Sequence, residues 1–295
     1  MIERIIKKIN ETNPSFIFSG PRGIGKQYAA TQIVKSLLCK KIPACNTCDE
    51  CRRVDKEIHP NVIIIRPESD SKEIKIDSIR ELVKSLTFSA AEGNKRFVII
   101  DDAHRMNNNS SNTLLKTLEE PPHDTVFVLL TSNLHSMLPT IISRCEVVRF
   151  SPMAEEKMLK ILNISSGNKL IPYAMGSISI FNFYSDNQEQ TSKLIDFMQT
   201  PSQSYVNISD LTSDVMEMIS SDNKAQELEN MENIISLIMF SLVKKYEAES
   251  ENKERSYDIL NSIEEIRTIS KKIYNNTSTS IVLENMLLEV AKLNS

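Results

Sequence analysis

The run Ser15-Phe-Ile-Phe-Ser-Gly-Pro-Arg-Gly-Ile-Gly-Lys-Gln27 reads as a short buried strand that delivers the chain into a phosphate-binding loop. Gly20, Gly23 and Gly25 would let backbone N–H groups close around a β-phosphate, and Lys26 would reach the β- and γ-phosphates. The next position normally supplies a hydroxyl to Mg²⁺, and here it is Gln27. An amide oxygen is neutral, stands farther from the backbone and competes with water for a cation that dehydrates reluctantly. The loop is therefore compatible with bound ATP or ADP, while metal-assisted cleavage is not expected.

The parts of such a pocket follow in chain order. Arg96-Phe-Val-Ile-Ile-Asp-Asp102 is an apolar run too short for a helix and ends in two carboxylates, the pattern of a Walker B strand buried on both faces. Asp101 suits the metal's water shell. Asp102 stands where a base for the attacking water belongs, but it is one methylene shorter than glutamate, and proton abstraction needs contact at about 2.6 to 3.2 Å. A third strand, Thr125–Thr131, runs into Ser132 and Asn133, polar residues at the position of a γ-phosphate sensor. Short β-rich runs (Phe16–Ser19, Val62–Ile65, Phe97–Ile100, Val126–Leu130, Val147–Phe150) alternate with helical stretches, which predicts a parallel sheet with helices on both faces over residues 1–150.

Four of the five cysteines, Cys39, Cys45, Cys48 and Cys51, are separated by five, two and two residues. This is metal-ligand spacing, and four thiolates satisfy the tetrahedral preference of Zn²⁺ while leaving no open position for water, so the site is expected to be structural. Disulfides are the competing reading, disfavoured without a secretory segment, and chance clustering is another. Cys145 lies outside the group and reads as a packed small residue.

These segments resemble the AAA+ clamp-loader family of bacterial DNA polymerase III. The resemblance rests on the Gly20–Lys26 loop, Ile76-Asp-Ser-Ile-Arg-Glu-Leu82, Asn112-Thr-Leu-Leu-Lys-Thr-Leu-Glu-Glu-Pro-Pro122 and Ser143-Arg-Cys145, spread over nearly all of the first half. It implies an α/β AAA+ domain at 1–150 with a zinc loop inserted at 39–51, a helical lid at 151–200, and an all-α bundle at 201–295 that joins subunits in a collar. Three positions separate the chain from the family's ATP-hydrolysing gamma/tau members and align it with the delta-prime type. Gln27 stands for their Thr, Asp102 for their Glu, and Ser179 in Gly176-Ser-Ile-Ser179 for a phosphate-sensing arginine. The resemblance also implies that Arg144, from the Ser-Arg-Cys motif, projects into the ATP site of a neighbouring subunit. A planar, permanently charged guanidinium suits that task because it bridges phosphate oxygens. Without the resemblance, Arg144 is a surface arginine before an edge strand.

Composition limits the functional classes. With 35 basic and 39 acidic residues the net charge is −4, which argues against a chain that holds DNA alone through a broad cationic face. The longest apolar run, Ile234–Val243, is interrupted by Ser236 and Ser241 and is too short for a bilayer, which needs about 20 apolar residues. Met1–Ile9 has the pattern of an amphipathic helix and not of a signal peptide, so a cytoplasmic location is expected. After Pro201 strand signals nearly vanish. Met231–Val243 and Leu283–Leu293 follow helical periods, consistent with either a plain helical core or a bundle that buries surface against other subunits. Three functions remain open. The first is a non-hydrolysing delta-prime type subunit, with gamma/tau and delta subunits as partners and the sliding clamp and primed DNA met through the assembled complex. The second is a weak gamma/tau-like ATPase. The third is a zinc-dependent nucleic-acid binder using Lys40, Lys41, Arg52 and Arg53 beside the cysteines.

Overall fold

The computed structural model describes residues 1–295 apart from 13, 69–72, 87–94, 123, 200–207, 275–276 and 295. Two units divide the chain, Met1–Met153 and Ala154–Ser295. In the first, the elements in chain order are α1 (Ile2–Thr12), β1 (Phe16–Ser19), α2 (Lys26–Leu38), α3 (Asp49–Asp55), β2 (Val62–Ile65), α4 (Ile76–Leu86), β3 (Arg96–Ile100), α5 (Asn108–Glu119), β4 (Thr125–Thr131), α6 (Pro139–Ile142) and β5 (Glu146–Arg149). All five strands run parallel in the order β2-β3-β4-β1-β5.

Alternating side chains sort the sheet into two apolar layers. Phe16, Phe18, Phe97, Ile99, Val126, Val128 and Leu130 pack with Ile5, Ile6 and Ile9 of α1, Ile33 and Val34 of α2, and Val54 of α3. Their neighbours Ile17, Val98, Ile100, Phe127 and Leu129 face Ile79, Leu82 and Leu86 of α4 and Leu114 and Leu118 of α5. Burial on both faces is what makes these strands continuous hydrophobic runs. Each fully buried Phe, Ile or Leu is worth about 1.5 to 3 kcal/mol.

Register decides where the chemistry collects. Ile100 pairs with Leu129, and Ile17 pairs with the same Leu129, so β3, β4 and β1 finish at one edge of the sheet. That edge receives the glycine loop after β1, Asp101 and Asp102 after β3, and Ser132 and Asn133 after β4. Ligands of open parallel sheets bind outside these carboxyl ends. The expected α/β arrangement is present.

Among the described residues the second unit is helical: α7 (Glu155–Leu162), α8 (Ile178–Asp186), α9 (Gln188–Gln199), α10 (Ile208–Ile219), α11 (Lys224–Ala248), α12 (Lys253–Ser270) and α13 (Thr279–Asn294), with short 3₁₀ turns at Pro172–Ala174 and Lys271–Tyr274. The division expected at 200/201 falls outside the described residues. Helix α11 packs against α9, α10 and α12, and its Met231, Ile234, Leu237, Ile238 and Leu242 are buried there. Its apolar length is thus largely absorbed within its own unit. Asn230 is buried on the same helix and donates from Nδ2 to the carbonyls of Met218 and Ile219 at 3.3 and 3.2 Å, satisfying the end of α10. No helix among the described residues is long and apolar enough to cross a membrane.

Candidate functional site

The phosphate loop leaves β1 through hydrogen bonds that continue the sheet, with Gly20 N–H donating to the Thr131 carbonyl at 3.1 Å and Phe150 N–H to that of Ser19 at 2.7 Å. A Cβ at Gly20 would stand 2.3 Å from the Phe150 carbonyl oxygen and 2.7 Å from Ile24 Cδ1, so only glycine fits. Gly25 (φ 92°) is the N-cap of α2 in left-handed backbone and brings no side-chain acceptor to that helix. The first-turn N–H groups of α2 therefore have no capping side chain, the arrangement that favours an anion. Lys26 Nζ folds back onto the loop, donating to the carbonyls of Gly20 and Pro21, each at 2.6 Å. Burial lowers the Lys26 pKa, opposed by the charges of Asp102 and Asp101. Gln27 is exposed in the first turn of α2. Gly20→Ala is expected to destabilise the protein by about 2 to 4 kcal/mol, at or above the usual cost of overpacking, because the obstructing atom is backbone. A lowered urea midpoint at unchanged slope is the check, and an unaltered midpoint would contradict the packing.

Asp101 and Asp102 lie beside this loop, as the motif spacing anticipates. Asp101 N–H continues the β2–β3 ladder by donating to the Ile65 carbonyl at 2.9 Å, and its Oδ1 accepts the N–H of Asp102 at 3.0 Å. Burial, then the adjacent Asp102 charge, raises the Asp101 pKa. Asp102 (φ 46°, ψ 44°) opens the 3₁₀ turn Ala103–Arg105 in left-handed backbone. Its Oδ2 accepts from Arg22 Nη2 at 3.2 Å and stands 3.5 Å from Arg105 Nε, while its Oδ1 is 4.0 Å from His104 Nδ1. His104 Nε2 is 3.4 Å from Ser132 Oγ, and burial lowers the His104 pKa. Arg22 and His104 thus belong to the pocket, although the motif reading did not single them out. The Arg22–Asp102 pair joins residues 80 apart, and no local spacing signals it. Asn133 is exposed, with its N–H donating to Thr131 Oγ1 at 3.1 Å. In the second unit Ser177 Oγ caps α8 by accepting from Ile180 N–H at 3.2 Å, and Ser179 is exposed in that helix's first turn.

The cysteines converge. The sulfurs of Cys39, Cys45, Cys48 and Cys51 all lie within 4.8 Å of one another, and those of Cys45 and Cys51 are 3.9 Å apart. A tetrahedron of sulfurs around zinc with bonds of about 2.3 Å has edges of about 3.8 Å, so the residues present fit the ion. All five cysteines are unbridged in the structure. Cys39 ends α2, Cys48 is the N-cap of α3, and Cys51 is buried within α3. Backbone N–H groups of Thr47 and Cys48 draw the Cys45 thiol down to about 5, whereas burial and the neighbouring cysteines push the Cys51 thiol up to about 12, so the case for a metal rests on the convergence of the four sulfurs. Lys40, Lys41, Arg52 and Arg53 are exposed around the cluster.

Arg144 occupies the turn between α6 and the edge strand β5. Its Nη2 pairs with Glu119 Oε1 at 2.5 Å and its Nη1 donates to the Thr140 carbonyl at 2.9 Å, with the side chain 34% exposed. Its partner Glu119 comes from the Leu-Glu-Glu-Pro-Pro segment at the end of α5. Burial pushes the neighbouring Cys145 thiol up to about 12, in keeping with a packing role.

A family model described as "DNA polymerase III, delta subunit" matches residues 1–154, just over half of the chain. DNA polymerase III subunit delta' of Pseudomonas aeruginosa is 37% identical over 134 residues, 44% of this chain and 41% of that protein. Subunit delta' of Bacillus subtilis is 37% identical over 141 residues, 47% of this chain and 42% of that protein. DNA polymerase III subunit gamma of Buchnera aphidicola subsp. Acyrthosiphon pisum is 36% identical over 151 residues, 50% and 41% of the two chains. The chain thus spans about two fifths of the length of these curated relatives. A gamma subunit-related protein from Thermotoga maritima shares the fold, with a TM-score of 0.58 over 100% of this chain and 99% of the other at 18% identity. With more than half of its residues inside the matching family model and the AAA+ sheet and phosphate loop in place, the chain belongs to the DNA polymerase III delta-subunit family, within the clamp-loader group.

Proposed function

We propose that this chain is a non-hydrolysing, delta-prime type subunit of a cytoplasmic clamp loader. It lends Arg144 to the ATP site of a neighbouring gamma/tau subunit and, with delta, helps to place a sliding clamp on primed DNA. The observation that carries this reading is the commitment of Asp102. A general base needs a carboxylate oxygen free to face water at hydrogen-bond distance. Asp102 is one methylene shorter than glutamate, and its Oδ2 is held by Arg22 at 3.2 Å with Arg105 at 3.5 Å, a cationic pairing that draws the carboxylate away from the role of base, while its Oδ1 stands 4.0 Å from His104 Nδ1. Exposed Gln27 supplies no hydroxyl for Mg²⁺.

What remains is a binding cradle. Gly20, Gly23, Gly25, Lys26 and Asp101 would hold the phosphates of ATP or ADP, with Lys26 exchanging the carbonyls of Gly20 and Pro21 for phosphate oxygens. Cys39, Cys45, Cys48 and Cys51 would hold a zinc ion, which supplies a structural cross-link. In this assignment residues 151–200 act as the lid and 201–295 as the collar.

The gamma/tau-like reading draws on the same Lys26 and Asp101, and one assay separates the two. The purified chain with ATP and Mg²⁺ is expected to release no phosphate, and Lys26→Ala is expected to leave the ATPase of a reconstituted loader unchanged. Steady turnover by the lone chain, abolished by Lys26→Ala, would establish the motor instead.

A further inference from the structure

Lys35 is 4% exposed, although it lies on the apolar face of α2 between Val34 and the next turn. A buried ammonium is costly unless it is paired and hydrogen-bonded, and this one is. Its Nζ donates to Asn46 Oδ1 at 3.0 Å and forms an ion pair with Asp55. The carbonyl of the same residue accepts the N–H of Cys39 at 2.9 Å.

The addresses of these partners matter more than their number. Cys39 is the first cysteine of the cluster, Asn46 sits between Cys45 and Cys48, and Asp55 closes the helix that carries Cys51. The ammonium therefore reaches the Asn46 turn and the end of α3, while Cys39 follows on Lys35's own helix through an ordinary backbone bond. Asn46 also holds left-handed backbone (φ 56°), a conformation that needs a reason to persist in a residue other than glycine.

We propose that Lys35 is the positioning residue of the four-cysteine cluster. Its ammonium ties the Asn46 turn and the end of α3 to α2, and so holds the sulfur-bearing segments together around the metal. Its charge also offsets the net negative charge of Zn²⁺ with four thiolates. This inference rests on the zinc reading above and adds to it a residue that is not a ligand. Groups that orient ligands in this way are typically worth 10- to 100-fold in metal affinity.

The test uses the full chain loaded with Zn²⁺, its metal content measured by elemental analysis, and its transfer of zinc to a chromogenic chelator followed in time. Lys35→Met keeps the length of the side chain and removes the charge. It is expected to release zinc about 10- to 100-fold faster than wild type and to weaken the visible absorption of the Co²⁺-substituted tetrathiolate, while the metal-free protein melts no earlier. Should that variant not fold, Asn46→Gly removes the carboxamide that accepts from Lys35 and donates to the Ala44 carbonyl yet tolerates the left-handed backbone, and faster release is expected again. Wild-type release rates and cobalt spectra in both variants would overturn the role of Lys35 and leave the zinc reading intact. A wild-type chain that takes up neither Zn²⁺ nor Co²⁺ would overturn both.

Discussion

Arg144→Ala is expected to lower turnover at the neighbouring ATP site of a reconstituted clamp loader by about 10³-fold or more, the range over which arginine fingers act in GTPases. Clamp- and DNA-stimulated phosphate release is the measurement, with size-exclusion chromatography verifying that the variant still assembles. The chain itself should remain folded, because the Arg144 side chain is held by a half-exposed ion pair with Glu119 and by hydrogen bonds to the Thr140 carbonyl and Ser143 Oγ, all at the surface. Such pairs are worth about 0 to 1 kcal/mol. If Arg144 acts on a neighbour's nucleotide as proposed, the same weakness would let it exchange Glu119 for a phosphate at little cost. Arg144→Lys should recover little, as an ammonium lacks the planar fork that bridges two oxygens. Stimulated ATPase equal to wild type in an assembled Arg144→Ala complex would remove the role.

Stripping the cysteine cluster of zinc is expected to destabilise the first unit by on the order of 5 kcal/mol, less than the about 10 to 16 kcal/mol that zinc supplies to isolated finger peptides. The reduction reflects a sheet with its own core, which survives the loss. The local effect follows from α3, whose seven residues are too few to persist as a helix unaided. Its Val54 is buried in the layer formed with Ile33 and Val34 of α2, so release of α3 uncovers that face. Urea unfolding with and without a chelator reads the stability, and limited proteolysis should cut the metal-free chain between residues 39 and 58. Cys51→Ser, which removes the buried ligand, should reproduce both effects. Acid should do the same, because protons compete with zinc for thiolates. Identical unfolding of verified zinc-loaded and zinc-free protein would show that the metal does not hold this segment.

The parts that sequence reading captured share one property: their information is local. Phe16–Ser19 and Arg96–Ile100 announce buried strands by composition, and the loop glycines, Lys26 and Gln27 sit within eight consecutive positions. Cys39, Cys45, Cys48 and Cys51 fall within one short insertion, so spacing alone was enough to anticipate that their sulfurs meet. The apolar run in α11 was equally visible, but a helical period does not name its partner. Packing against α9, α10 and α12 assigns most of that surface to the unit's own core.

Chain order alone thus carries the sheet's components, Gln27 where a hydroxyl is expected, Asp102 where glutamate is expected and the grouping of the four cysteines. Folding in three dimensions determines where charges are spent: Arg22 on Asp102, Glu119 on Arg144, and the buried ammonium of Lys35 on Asn46 and Asp55. These pairings depend on strand order and helix docking, which bring together residues whose separation along the chain follows no period. A pattern repeating every two or four residues cannot encode them, because the distance that sets an ion pair's energy is measured through space.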